Sequence, residues 1–190
     1  MTEPLILGFD TSAAHCAAAL VRGDTVLHAV GEDMTRGQAE RLMGLLSETL
    51  TSQGADWSDL SALAVGVGPG NFTGIRIGVS TARGLALGLG IPSYGVTGFE
   101  ARARLAMPGA QVAIAAPRDM AYILQPEGPV SVRVQDIANP APEPTPAELA
   151  VAIAEHAASL WPQKAAPPAP LYIKPPDAAP AKDTAPTLLP

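Results

Sequence analysis

Short apolar runs separated by turn residues open the chain. They predict three strands, at Leu5–Phe9, Cys16–Val21 and Thr25–Val30. The first run ends in Asp10-Thr11-Ser12, and Arg22-Gly23-Asp24 separates the second run from the third. Strands joined by such short turns form an antiparallel meander. We therefore expect the chain to begin with an antiparallel sheet.

The hydrophobic period changes to that of a helix over residues 35–53. The apolar residues that recur at helical spacing are Ala39, Leu42, Met43, Leu46 and Leu50. Thr35 and Gln38 have the spacing of a capping box, and Gly54 is a typical helix stop. Leu45 widens the apolar stripe, so either the chain's own sheet or a partner could cover it.

A buried strand at Leu60–Val67 leads through Gly68-Pro69-Gly70 into a helix at Thr73–Leu89, which Asn71 or Thr73 can cap. Free N–H groups at a helix start attract anions. However, the P-loop lysine is missing, and the last glycine of a dinucleotide fingerprint falls one residue late. The stretch is either a tight packing turn or a weak anion site.

The second predicted helix is rich in small residues on one face. Gly74, Gly78 and Ala82 follow one another at intervals of four, and Gly84 and Gly88 form another such pair. Glycine inside a helix costs about 1 kcal/mol relative to alanine. Repeating that cost indicates a neighbour very close to the helix backbone. The neighbour could be the chain's own sheet or another subunit.

The pattern continues with a strand and a helix and then weakens. Ile91–Val96 is the fifth predicted strand, and Thr97–Met107 is a helix with Thr97 near its cap. Beyond Pro108 the predicted elements are strands at 112–116, 121–125 and 130–134, a helix at 148–160 and a last strand at 171–173. Thirteen of the 20 prolines lie in residues 139–190, and the tail from Pro175 is expected to be irregular. The order of elements is that of an α/β layer fold.

Composition and charge exclude several classes of protein. The net charge of -6 and the pI near 4.9 argue against a broad basic surface for nucleic acid. Cys16 is the only cysteine among 190 residues, which suits a reducing cytosol. Neither a basic leader nor a run of about 20 apolar residues is present, so we expect a cytoplasmic protein without a membrane span.

Few residues carry obvious chemistry. The three histidines, His15, His28 and His156, have no metal-ligand spacing, and the G-x-S-x-G nucleophile motif is absent. His15 beside Cys16 is more typical of a structural residue than of a catalytic pair. Asp10 follows a predicted strand, where α/β folds place ligands, but it could equally form an Asx turn.

Four stretches resemble a known family. The run Gly68-Pro69-Gly70-Asn71-Phe72-Thr73-Gly74-Ile75-Arg76-Ile77-Gly78 closely matches the signature of the TsaB (YeaZ) family. Residues 6–12, 36–42 and 84–96 are similar to that family's first strand, first helix start and second helix end. The resemblance is continuous over about residues 5–107. Beyond them, only 172–174 with Asp177-Ala178 resemble the family's C-terminal end.

The resemblance implies an α/β fold of the actin-like ATPase (ribonuclease-H-like) type with two lobes. The first lobe, 1–108, would carry the dimerisation helices, and the second, 109–190, would be short and Pro-rich. The implied function is a non-catalytic dimerisation and activation subunit in the synthesis of threonylcarbamoyladenosine at position 37 of tRNAs that read codons beginning with A. The implied partners are a catalytic TsaD-like paralogue, a TsaE-like ATPase, a second copy of the chain, and tRNA through the complex.

The resemblance also implies sites. Where TsaD holds a metal through an H-x-x-x-H pair, this chain has Gln38 and Leu42, so we expect no metal, no cofactor and no catalytic residue. A vestigial nucleotide site would comprise Asp10, Thr11, Ser12, Gly68, Gly70 and Asn71. The partner interface would comprise Leu42, Met43, Leu46, Leu50, Gly74, Gly78 and Ala82.

Two other classes of function are alternatives to the one that the resemblance implies. A self-sufficient nucleotide-dependent enzyme, such as a small ATPase or kinase, is the alternative, based on Asp10-Thr11-Ser12 and the Gly68–Gly70 turn. Residues 116–122 replace the family's usual Asp-Ala-Arg-x-Gly-Glu-Val-Tyr run. This departure argues against a site shared with the second lobe. A peptidase has no support, because a metal-ligand cluster and a nucleophile motif are both missing from the sequence.

Overall fold

The computed structural model describes residues 3–173. Its larger sheet contains β1 (Leu5–Asp10), β2 (His15–Arg22), β3 (Thr25–Asp33), β4 (Ala62–Gly66) and β5 (Ser93–Val96). The strand order is β3-β2-β1-β4-β5. The first three strands form the predicted antiparallel meander, and β1, β4 and β5 run parallel to one another.

Helices cover both faces of this sheet. They are α1 (Gln38–Thr51), α2 (Phe72–Leu89), α3 (Gly98–Leu105) and α4 (Pro146–Leu160). Along β1, Leu7 and Phe9 point into the core formed with α1 and α2, while Ile6 points into the core formed with α3 and α4. This alternation follows from the two-residue period of a strand. The result is an α/β/α sandwich in which β1 is central and buried on both faces.

A smaller antiparallel sheet follows α3. It consists of β6 (Ala113–Ala116), β7 (Met120–Gln125) and β8 (Gly128–Arg133), in that spatial order. The chain then returns, because α4 packs on β1, β2 and β3 of the larger sheet. The division into two lobes at residue 108 separates the two sheets and stays a prediction, with α4 belonging by its contacts to the larger sheet.

Two local predictions are wrong. Helix α1 begins after Gly37, at φ 94°, without a side-chain cap, and the Gln38 side chain donates to the Met34 carbonyl at 3.1 Å instead of forming a capping box. Residues 171–173 form no strand, although the Leu171 N–H donates to the Val67 carbonyl at 2.8 Å. The prolines before Leu171 lack the N–H groups that a strand ladder requires. The predicted irregular tail from Pro175 lies outside the described residues.

The other helix starts agree with the sequence. Asn71 caps α2, since its Oδ1 accepts a hydrogen bond from the Gly74 N–H at 2.9 Å. Thr97 and Glu100 form a capping box at the start of α3. Across residues 3–173, the helices are either too short or too polar to cross a bilayer.

Candidate functional site

The turns after β1 and β4 meet at the carboxyl ends of these parallel strands. The Asn71 N–H donates to the Ser12 carbonyl at 2.6 Å, and the Thr11 hydroxyl donates to the Gly74 carbonyl at 2.7 Å. A Cβ atom on Gly70 would lie 2.2 Å from the Ser12 carbonyl oxygen. The two turns are therefore locked directly against each other, and glycine is required at the point of closest approach.

Asp10 is engaged by its own chain. Its side chain is buried, and Oδ2 accepts hydrogen bonds from the Ser12 N–H at 3.3 Å and the Ser12 hydroxyl at 2.9 Å. His15 Nε2 lies 2.6 Å from the same oxygen. On the other side, a Cβ on Gly66 would lie 1.9 Å from Oδ1. Of the two roles open for Asp10, the geometry is that of the Asx turn, reinforced by a buried histidine.

Cys16 is not positioned as a nucleophile. The thiol is fully buried, and burial raises its pKa to about 11, so it stays protonated at neutral pH. The neighbouring His15 ring is hydrogen-bonded to Asp10. The structure thus agrees with a structural role for His15 and provides no activated Cys–His pair here.

The predicted partner interface needs correction, because six of its seven residues are buried within the chain. Leu42, Leu46 and Leu50 belong to the core that α1 and α2 form with the larger sheet. The remaining buried members are Gly74, Gly78 and Ala82. Only the Met43 side chain is exposed, at 44%. The apolar stripe of α1 is therefore explained by packing on the chain's own sheet.

The glycines of α2 show which neighbour lies close to this helix. A Cβ on Gly74 would lie 1.9 Å from the Thr11 carbonyl oxygen, and one on Gly78 would lie 2.9 Å from the Thr11 hydroxyl oxygen. The close neighbour is thus the turn after β1 and not another subunit. In contrast, a Cβ on Gly84 or Gly88 would have nothing within 4 Å.

The outer face of α2 is exposed, and Arg83 is a charged side chain on it. Leu87 is 86% exposed, and the helix backbone beside it is bare at Gly84 and Gly88. An open depression of about 500 Å³ adjoins Leu87 and is lined in part by Ile91 and Pro167. This face therefore combines an exposed apolar side chain with small residues and an arginine.

Sequence reasoning missed Arg102 on α3. This arginine is only 9% exposed, and it forms an ion pair with Glu143 on the segment before α4. The signal was present, since Phe99 and Arg102 are three residues apart on the buried side of a helix. A charged residue at such a position is unusual enough to mark a polar site.

No metal centre is apparent in the described part of the chain. Among residues 3–173, no three His, Cys, Asp or Glu side chains converge as ligands. Leu42 is buried in the core, and Gln38 is hydrogen-bonded to Met34.

The fold has a counterpart among solved structures. A crystal structure from Pseudomonas aeruginosa, of an uncharacterized protein with similarity to peptidase YEAZ, superimposes with a TM-score of 0.72. The match covers 90% of this chain and 100% of that chain at 24% sequence identity. Together with the strand order and the turns that meet above β1 and β4, it defines an α/β protein of the actin-like, ribonuclease-H-like class.

The family follows from sequence comparison. Residues 29–141 match the model of the family described as TsaD, tRNA N6-adenosine threonylcarbamoyltransferase. The Escherichia coli tRNA threonylcarbamoyladenosine biosynthesis protein TsaB is 42% identical over 92 residues, which are 48% of this chain and 39% of that protein. The chain belongs to the TsaB (YeaZ) family within this group, as its motifs predicted.

The extent of similarity differs between relatives. The chain matches less than half of the E. coli protein's length. An uncharacterized protein of Mycobacterium tuberculosis is 30% identical over 204 residues, covering 92% of this chain and 94% of that protein. Similarity to that protein therefore extends over almost the whole chain.

Proposed function

We propose that this protein is a non-catalytic subunit of the machinery that transfers threonylcarbamoyl to adenosine 37 of tRNAs reading codons that begin with A. It would bind and activate a TsaD-like paralogue, with a TsaE-like ATPase joining the pair and tRNA engaged through the complex. Support comes from the family and from the E. coli relative, a threonylcarbamoyladenosine biosynthesis protein.

One structural observation carries the non-catalytic part of the proposal. Asp10 is the carboxyl group at the strand ends where an active site of this fold would lie, and Ser12, His15 and Gly66 surround it closely. A general base or metal ligand must be free to reach a substrate. Asp10 instead holds a turn together.

A self-sufficient nucleotide-dependent enzyme is the less well supported alternative. Binding of phosphate by the β4–α2 turn would require free backbone N–H groups. The Asn71 N–H already donates to Ser12, and the Gly74 N–H donates to the Asn71 side chain. Thr11 closes the same turn from the other side. Thr11, Ser12 and Asn71 thus form hydrogen bonds within the two turns.

We place the partner surface on the outer face of α1 and α2. Ser80, Gly84 and Gly88 follow one another at intervals of four on α2 and are exposed. Small residues at this spacing let a second helix approach closely, and Leu87 and Met43 supply apolar contact. This face replaces the buried residues of the earlier expectation. It would serve a TsaD-like partner or, in its absence, a second copy of the chain.

The proposal can be tested in cells. An E. coli strain depleted of its own TsaB and TsaD should recover threonylcarbamoyladenosine in its tRNA when it expresses this chain with the TsaD-like paralogue from the same genome. Mass spectrometry of digested tRNA measures the recovery. The paralogue alone is the matched control and should restore little. Full recovery with the paralogue alone would contradict the need for this chain.

A further inference from the structure

A cleft of about 350 Å³ lies between the larger and the smaller sheet. Its walls come from the two locked turns, from α3, from β6 and β7, and from the segment before α4. The lining side chains that carry polar groups are Ser12, Asn71, Arg102, Tyr122 and Glu143. Ile114 and Pro117 add apolar surface. The cleft thus combines one buried cation with apolar walls.

Arg102 has unused hydrogen-bonding capacity in this cleft. Its Nη2 pairs with Glu143 Oε1, and its Nη1 makes only a long hydrogen bond of 3.4 Å to the Gly98 carbonyl. Its Nε is buried and has no acceptor among residues 3–173. A buried N–H group that lacks an acceptor is destabilising unless something supplies one.

The space around the guanidinium depends on a glycine. A Cβ on Gly98 would lie 2.8 Å from Ile114 Cδ1 and 3.1 Å from Arg102 Nη1. Gly98 also donates its N–H to the Gly68 carbonyl at 2.8 Å, which ties α3 to the β4–α2 turn. A side chain at residue 98 would therefore crowd both Ile114 and the guanidinium.

Glu143 is a weakly held partner for this arginine. Its side chain is 59% exposed, whereas that of Arg102 is 10% exposed. Glu143 lies in the irregular stretch between Asp136 and Pro146. A carboxylate that is largely in water loses little when its ion pair opens. An incoming anion can therefore replace it.

We propose that this cleft binds a small anion, a carboxylate or a phosphate, on Arg102, and that Glu143 occupies the guanidinium when the ligand is absent. The planar fork of arginine suits both groups through two parallel hydrogen bonds, with Nε as one donor. Tyr122 and Ile114 would contact the apolar part of a larger ligand. The inference is independent of the proposed function, since it rests on Arg102 and its surroundings alone.

The test is isothermal titration of the full chain with inorganic phosphate, citrate and ADP. Glu143→Gln should bind the preferred anion more tightly than the natural chain. If the ion pair is formed nine times in ten, removing it raises the apparent affinity by about tenfold. Glu127→Gln removes the same charge from an exposed turn outside the cleft and should change the affinity by less than about twofold.

The three probes distinguish the sources of the anion. Citrate binding without phosphate binding identifies a carboxylate ligand, phosphate binding identifies a phosphate ligand, and ADP binding tighter than phosphate indicates a nucleotide. Arg102→Gln should abolish binding. If that variant fails to fold, the comparison of Glu143→Gln with Glu127→Gln still tests whether Glu143 competes with the anion. Absence of binding by both the natural chain and Glu143→Gln at millimolar probe would overturn the proposal, as would equal gains in the two glutamate variants.

Discussion

Replacing Gly74 with alanine should prevent folding or lower the free energy of unfolding by about 3 kcal/mol. The added Cβ would lie 1.9 Å from the Thr11 carbonyl oxygen, which is backbone and has no rotamer with which to move away. The Thr11 hydroxyl also donates to the Gly74 carbonyl, so a shift of the helix would break that hydrogen bond. Urea unfolding followed by circular dichroism measures the effect.

The same helix provides the control for this prediction. Gly84→Ala adds the same atom where nothing lies within 4 Å, and it should raise the free energy of unfolding by up to about 1 kcal/mol through helix propensity. Both variants add one methyl group to α2. At Gly74 that group meets the turn after β1, and at Gly84 it meets nothing. Equal stability of Gly74→Ala and Gly84→Ala would show that the turns do not pack as described.

Replacing Gly84 with leucine should separate folding from partner binding. Leucine favours the helix over glycine, so the isolated chain should stay folded and at least as stable. In the complex the side chain would push apart two helices, with a loss of about 2 kcal/mol or more, corresponding to about 30-fold weaker binding. Sedimentation of the chain alone and titration with the TsaD-like paralogue measure the two associations.

A matched leucine on the opposite layer controls for added hydrophobic surface. Ser159 is exposed on α4, which packs on the other face of the larger sheet. Ser159→Leu should leave both associations unchanged. If the folded Gly84→Leu variant bound the TsaD-like paralogue normally, the outer face of α2 would not be the contact surface.

The spacing of apolar residues predicted the helices and strands of the fold well, because burial of one face directly determines that spacing. The alternating apolar residues of β1 and the stripe of α1 pack on a sheet, as their spacing requires. The same spacing does not indicate which surface covers the apolar face. Leu42 and Leu46 therefore looked equally suited to a partner and to the chain's own core, and only the three-dimensional arrangement distinguishes the two.

The glycines of α2 illustrate the same limit. Their cost indicated a close neighbour, and Gly74 and Gly78 do have one in Thr11. At 3.6 residues per turn, Gly84 is rotated by about 120° from the centre of the row that Gly74 begins, and it faces outward. Two similar patterns on one helix thus have different roles, and the sequence alone could not assign them.

The polar site was predictable in place but not in detail. The end of β1 was a sound prediction for a polar turn, and Asp10 is found there. Its pairing with His15 depends on the path of the β1–β2 turn, which residue types do not determine. The pairing of Arg102 with Glu143 joins residues 41 apart and depends on the return of the chain to the larger sheet.

The most direct test of the account is a reconstituted transfer reaction. The natural chain, Gly84→Ala and Gly84→Leu are each added to the cognate TsaD-like and TsaE-like proteins, the enzyme that makes threonylcarbamoyl-adenylate, and tRNA. The account predicts rapid modification with the natural chain and with Gly84→Ala, and little without the chain or with Gly84→Leu. An equal rate of tRNA modification in the absence of the chain would contradict it.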